Sequence, residues 1–128
     1  MAKNLSIGII GAGPGGLALG IFLRKAGFDD FTIFDREDGV GGTWRINTYP
    51  GLACDVKSHL YSYSFDLNPQ WSRLWSGQAE ILQYFERCAH RHRLADHLVL
   101  NTEIVSARWE PEHQTWRLQT STGDEHTF

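Results

Sequence analysis

Cysteine is scarce in this 128-residue chain, which carries only Cys54 and Cys88. Their spacing fits neither a zinc site nor a Cys-x-x-Cys redox pair, so two free thiols in a reducing cytoplasm are the simplest reading. Charge of one sign is scarce too. Twelve basic and fifteen acidic side chains leave a net charge of −3, which gives no reason to expect nucleic acid or an anionic membrane as partner. No apolar run is both long and unbroken. Leu5 to Leu23 follows Lys3 much as a signal peptide would, but glycines and a proline interrupt it. That excludes a signal h-region and a membrane span, and a cytoplasmic location is expected. Repeats and low-complexity segments are absent. A hydrophobic content of 41% with 21% charged residues describes one ordinary domain, long enough to bury a core.

Glycine, in contrast, is plentiful and concentrated. Ile7-Gly8-Ile9-Ile10 runs into Gly11-Ala12-Gly13-Pro14-Gly15-Gly16, and an apolar helical pattern follows. The order strand, Gly-x-Gly-x-x-Gly, helix is what a dinucleotide's diphosphate requires. Gly11 permits the tight turn, Gly13 has no side chain to hold off the phosphates, and Gly16 lets the helix lie close to the strand. The helix start then offers free N–H groups and a partial positive charge. Pro14 fits the first helical turn, where its missing N–H is not needed.

Phe31-Thr32-Ile33-Phe34 reads as a second buried strand closed by Asp35. Asp35 lies 19 residues past Gly16 (35 − 16), near the offset of about 20 expected for the acid that holds an adenosine ribose. A carboxylate there accepts bonds from ribose hydroxyls and repels a 2′-phosphate, which argues against the phosphorylated nicotinamide cofactor in this loop. The blander alternative is a glycine turn followed by a solvated acid.

The expected architecture is α/β, a Rossmann-like parallel sheet with a helix-plus-loop excursion and a small antiparallel β-meander. Strands are expected at Leu5–Ile10, Phe31–Phe34 and Leu98–Leu100, with a helix over Gly13–Lys25 capped by Gly27. That helix is apolar on nearly every face until Arg24 and Lys25, so it should be buried between the sheet and other material. Residues 36–76 hold eight glycine, proline or asparagine residues and a crowd of aromatics. A stretch this long without regular pattern reads as a structured loop that wraps a large flat ligand, or as aromatics making a local core. Gln78–Arg93 reads as a helix with Ile81, Phe85, Cys88 and His92 on one face. His90 and His92 point apart on such a helix and cannot chelate together, so no metal is expected. Ile104–Trp109, Thr115–Gln119 and Glu125–Phe128 form the meander. Its third strand opens just as the sequence stops, and a fragment is expected.

The second glycine cluster separates the candidate dinucleotides. Gly39-Val40-Gly41-Gly42-Thr43-Trp44 follows the ribose acid closely, where a nicotinamide dehydrogenase would continue into another helix. A second close backbone approach suits a longer ligand such as FAD, whose diphosphate and ribityl chain would pass Gly41 and Gly42. Trp44 could then edge the flavin ring, a contact worth about 1 kcal/mol beyond burial.

Together Gly11–Gly16, Asp35, Gly41-Gly42-Thr43-Trp44, Tyr49-Pro50-Gly51, Cys54-Asp55 and Tyr61-Ser62-Tyr63-Ser64-Phe65 resemble the N-terminal part of the class B flavoprotein monooxygenases. The similarity is greatest to the Baeyer–Villiger and flavin-containing monooxygenases and runs through essentially the whole chain. The resemblance implies an enzyme that reduces FAD with NADPH and uses O₂ to oxygenate a ketone or a soft heteroatom such as a sulfide or amine. It implies a cofactor-binding set with Gly11, Gly13, Gly15 and Gly16 at the diphosphate and Asp35 at the adenosine ribose, Pro14 and Arg36 being counted in the same set. Gly41, Gly42, Thr43 and Trp44 line the ribityl and ring end, Tyr61 lies against the flavin, and Ile104 contacts the adenine. Asp55 resembles the family aspartate near flavin and nicotinamide, a catalytic role, although a turn-forming carboxylate is the alternative. Arg45-Ile46-Asn47-Thr48 and Leu52-Ala53 depart from the pattern of many Baeyer–Villiger enzymes, which leaves ketone and heteroatom oxygenation both open. The second glycine fingerprint for NADPH, the Phe-x-Gly-x-x-x-His-x-x-x-Trp signature and the arginine that serves oxygenation are not in this sequence. In the family they lie further along, with the strand that completes the sheet. The residues remain compatible with an inert FAD-binding fragment, with an amine oxidase, or with an NAD dehydrogenase; a disulfide reductase lacks its Cys-x-x-x-x-Cys.

Overall fold

The computed structural model describes residues 5–128; Lys3 of the signal-like N-terminus lies outside them. Ile7–Ile10 forms β1 and Phe31–Phe34 forms β2, paired parallel in the register Ile7 to Phe31 through Ile10 to Phe34. Leu98–Val99, β3, adds to the far side of β2, giving the order β1-β2-β3. Parallel neighbours need a crossover, which α1, Pro14–Lys25, provides. Gly13 takes the N-cap position and Gly27 the left-handed position after the last turn, at φ 81°. There Gly27 N–H bonds Arg24 C=O and Phe28 N–H bonds Leu23 C=O, closing the helix in a Schellman turn.

One face of the sheet meets α1. Ile9 and Ile33 pack with Leu17 and Ile21, all nearly inaccessible, and each such side chain contributes about 1.5–3 kcal/mol by burial. Gly20 is a contact point, because a Cβ there would lie 2.9 Å from the Ile33 side chain. The other face meets the meander of β4 (Ile104–Glu110), β5 (Thr115–Thr120) and β6 (Glu125–Thr127), ordered β4-β5-β6 and antiparallel. Phe34 lies against His126 and Phe128, while the Phe128 ring fills the space over Gly8.

The excursion between β2 and β3 contains α2 (Thr43–Ile46), a 3-10 turn at Ser58–Leu60 and α3 (Gln78–Arg91). On α3, Ile81, Phe85 and Cys88 are buried as the periodicity predicts, together with Tyr84. Tyr61 and Tyr63 pack edge-on against Phe85, and Tyr63 stacks on Phe65 at 4.8 Å. These loop aromatics therefore form a local core. Tyr49 and Trp75 stay exposed.

Several expectations are corrected. β1 begins at Ile7 rather than Leu5, and α3 stops at Arg91 because Arg93 adopts φ 54°. Helix α1 is not buried on every face: Leu19 and Phe22 are about half exposed. Apolar content shows that a helix is sticky, not which neighbours cover it. The meander exposes Val105, Trp109 and Trp116, the two tryptophans paired across β4 and β5.

Both cysteines are free and buried. Burial pushes the Cys88 thiol up to about 11 from its ordinary 9.0 and raises Tyr84 as well. A thiol held protonated by the fold contributes stability that is complete below pH 9 and is lost as pH rises through about 11. The unfolding free energy from urea titrations should fall between pH 9 and 10 by no more than about 1.4 kcal/mol per pH unit. Cys88→Ala should flatten that slope, and an unchanged slope would assign it to other groups.

Candidate functional site

The site is built at the C-terminal ends of β1 and β2. Gly11 turns the chain at φ 100° while its N–H stays bonded to Phe34 C=O at 2.7 Å. Gly16 sits so close beneath the turn that a Cβ would lie 1.9 Å from Gly11 O. The first helical bond runs from Leu17 N–H to Gly13 C=O at 3.0 Å, so the Gly15 and Gly16 amides have no acceptor within the helix. A Cβ on Gly15 would meet nothing within 4 Å. The start of α1 is thus open backbone with its positive dipole end outward.

Asp35 reaches back over this turn. One carboxylate oxygen accepts the Ala12 N–H at 2.6 Å and the other accepts the Glu37 N–H at 2.9 Å. The alternative of a merely solvated acid does not hold: Asp35 braces the first glycine turn. Beside it runs a groove of about 260 Å³ lined by Gly11, Asp35, Arg36, Ile46, Glu103 and Ile104 among others. Four residues singled out from the sequence, Gly11, Asp35, Arg36 and Ile104, therefore share one cleft although 93 positions (104 − 11) separate the outermost two.

The second glycine turn locks onto the first. Gly41 N–H donates to Ala12 C=O at 3.0 Å, and a Cβ on Gly42 would come within 2.9 Å of the Gly13 Cα. Gly41 and Gly42 both have positive φ, 125° and 55°, a conformation glycine adopts at little steric cost. Trp44 follows, buried, and its indole N–H donates to the Tyr61 hydroxyl at 3.0 Å. Thr43 is exposed and its hydroxyl accepts from Asn47. Tyr61 and Pro14 line a second cleft, also about 260 Å³, with Leu60, Ser62, Tyr63 and Phe85. Asp55 is exposed and lines neither cleft.

The family profile described as an NAD(P)-binding Rossmann-like domain matches residues 9–77, more than half of the chain. The chain belongs to this family. Within it, a Baeyer-Villiger monooxygenase of Pseudomonas aeruginosa is 47% identical over 126 residues, covering 98% of this chain and 24% of that protein. A steroid monooxygenase structure, oxidised and bound to NADP, superposes with a TM-score of 0.88 at 37% identity, over 95% of this chain and 24% of the other. The structure of OTEMO in complex with FAD and NADP gives 0.89 at 29% identity, over 99% and 25%. The chain thus spans about a quarter of the length of the relatives it matches. Among the described residues no helix is long and apolar enough to cross a membrane.

Two side chains that brace this Rossmann-like site have partners that the sequence does not signal. Tyr63 donates its hydroxyl to Pro14 C=O at the start of α1, and burial raises its phenol above the ordinary tyrosine range. Arg45 spans the second glycine turn. Both contacts join distant segments, 49 residues apart for Tyr63 and 41 for the Arg45–Glu86 pair, which no local periodicity encodes.

Proposed function

We propose that residues 1–128 are the FAD-binding portion of an NADPH-dependent monooxygenase that transfers one oxygen atom of O₂ to a ketone, sulfide or amine. The observation that carries this reading is the junction of the two glycine turns. Gly41 bonded to Ala12 and Gly42 pressed on Gly13 join the two glycine turns into one backbone wall. An extended dinucleotide such as FAD suits that wall better than NAD. The monooxygenase names of the relatives support the same reading.

The residues present fit the cofactor. The amides of the Gly11–Gly16 turn face the diphosphate at the helix start. Asp35 has acceptor capacity beyond its two backbone bonds and takes the ribose hydroxyls, while Arg36 and Ile104 border the adenine. Gly41, Gly42 and Thr43 pass the ribityl chain, and Trp44 with Tyr61 walls the ring end. Asp55, on the exposed segment after Cys54, is the acid assigned to the nicotinamide side. Bound flavin supplies hydride acceptance from NADPH and the activation of O₂. The protein's part is to orient it, exclude water behind the Trp44–Tyr61 wall, and hold charge near the ring. A cytoplasmic setting accords with the two free thiols.

Titrating the chain with FAD, followed by flavin fluorescence, should show one-to-one binding with a Kd of about 1 μM or tighter. Binding of NADH without FAD would overturn the proposal in favour of a nicotinamide dehydrogenase. In a protein that continues this sequence, a ketone or sulfide should stimulate NADPH consumption. Flavin binding without any such turnover would point to the inert version.

A further inference from the structure

We propose that Arg45 is a positioning residue: it fixes the peptide plane between Val40 and Gly41 so that the second glycine turn docks on the first. The consequence for flavin rests on the FAD reading above; the docking itself does not.

The geometry is that of a plane gripped at both ends. The carbonyl of Val40 accepts from Arg45 Nε at 2.8 Å. The amide on the other side of the same plane, Gly41 N–H, donates to Ala12 C=O at 3.0 Å. Gly39 and Gly41 flank Val40, and Gly41 is at φ 125°. The plane turns about the bonds of buried Val40 on one side and of Gly41 on the other. On the glycine side no Cβ opposes rotation, and a side-chain bond to the Val40 carbonyl is what sets it. The Arg45 guanidinium does so while lying directly over Gly39, where a Cβ would approach its Cζ to 2.4 Å. Its remaining N–H groups go to Asp38 at 3.0 Å and Glu86 at 2.7 Å, tying the turn to α3. The side chain is only 23% exposed, whereas Asp38 and Glu86 are 76% and 43% exposed. Exposed ion pairs of this kind add little stability. The bond to Val40 is the part that matters, and the acceptors serve to aim the fork.

Lysine cannot substitute. A single ammonium has no planar fork to cover Gly39 and serve three acceptors together. Glu86→Gln, in contrast, keeps the Val40 bond and removes only the charge at one tip.

Amide hydrogen exchange on the chain without cofactor, together with FAD titration, tests this. Arg45→Met and Arg45→Lys should each lower protection at Gly41 and at Trp44, whose N–H bonds Gly41 C=O, by at least tenfold. Protection in β1 and β2 should be retained. The same variants should weaken FAD binding by about 10- to 100-fold, and Glu86→Gln should stay within threefold of wild type in both readouts. Unchanged exchange at Gly41 in the arginine variants would overturn the proposal whatever the flavin result. Full rescue by lysine would overturn the planar-fork argument. Lost protection in a chain whose wild type ignores FAD would uphold Arg45 and remove the flavin reading instead. If Arg45→Met fails to fold, Arg45→Lys, which keeps length and charge, supplies the exchange comparison.

Discussion

Alanine in place of Gly16 should lower the melting temperature by about 5–10 °C and abolish stoichiometric FAD binding. The added methyl would sit 1.9 Å from Gly11 O and 3.0 Å from Gly11 C. Both are backbone atoms, and Gly11 is pinned by its bond to Phe34, so the helix or the turn must move. Overpacking of this kind costs about 1–3 kcal/mol and sometimes more, against a helix-propensity gain of at most about 1 kcal/mol. For a domain of this size each kcal/mol shifts the melting temperature by roughly 3–5 °C. Gly15→Ala is the matched control. Nothing lies within 4 Å of its would-be Cβ, so the protein should melt at or slightly above the wild-type temperature. Calorimetry of the two variants decides, and equal melting would mean that α1 does not approach the turn as described.

Removing the Asp35 carboxylate should damage stability and affinity together. Asp35→Ala strips acceptors from the Ala12 and Glu37 amides, and each unpaired, partly buried amide costs about 1–3 kcal/mol. Lost ribose bonds should cost a further 1.5–3 kcal/mol in FAD binding, a weakening of at least tenfold. Asp35→Asn retains one acceptor oxygen and should lose about half as much stability. Urea unfolding without flavin separates the two effects. A variant as stable as wild type would show that the brace is unimportant, and unchanged FAD affinity would show that the acid never meets the ribose.

What could be read from the sequence is what depends on neighbours along the chain. β2 falls at Phe31–Phe34 as the apolar run predicts, and the bounds of α1 differ from expectation only in that Gly13 is its cap. Gly16 and Gly20 lie against strands because a helix returns to the same face every four residues. Asp35 was legible from its offset to the glycines, but its grip on Ala12 was not, because that bond depends on how β1 and β2 stand side by side. Loop aromatics were legible as ordered, yet Tyr63 reaching Pro14 and Arg45 reaching Glu86 depend on how the excursion folds back over α1 and α3. Which faces of α1 and the meander stay exposed was not legible, because hydrophobicity reports a preference for cover and says nothing of what provides it.

The Phe128 ring lying over Gly8 has a consequence for biosynthesis. A residue at the eighth position waits for one emitted 120 residues later (128 − 8), so that layer of the molecule cannot close until residue 128 has cleared the ribosome. Closing so long a loop carries an entropic penalty that local helices avoid, and folds dominated by distant pairings form slowly. During that interval β1 keeps its Gly8 side wet, and nascent-chain chaperones would have their longest opportunity to bind there.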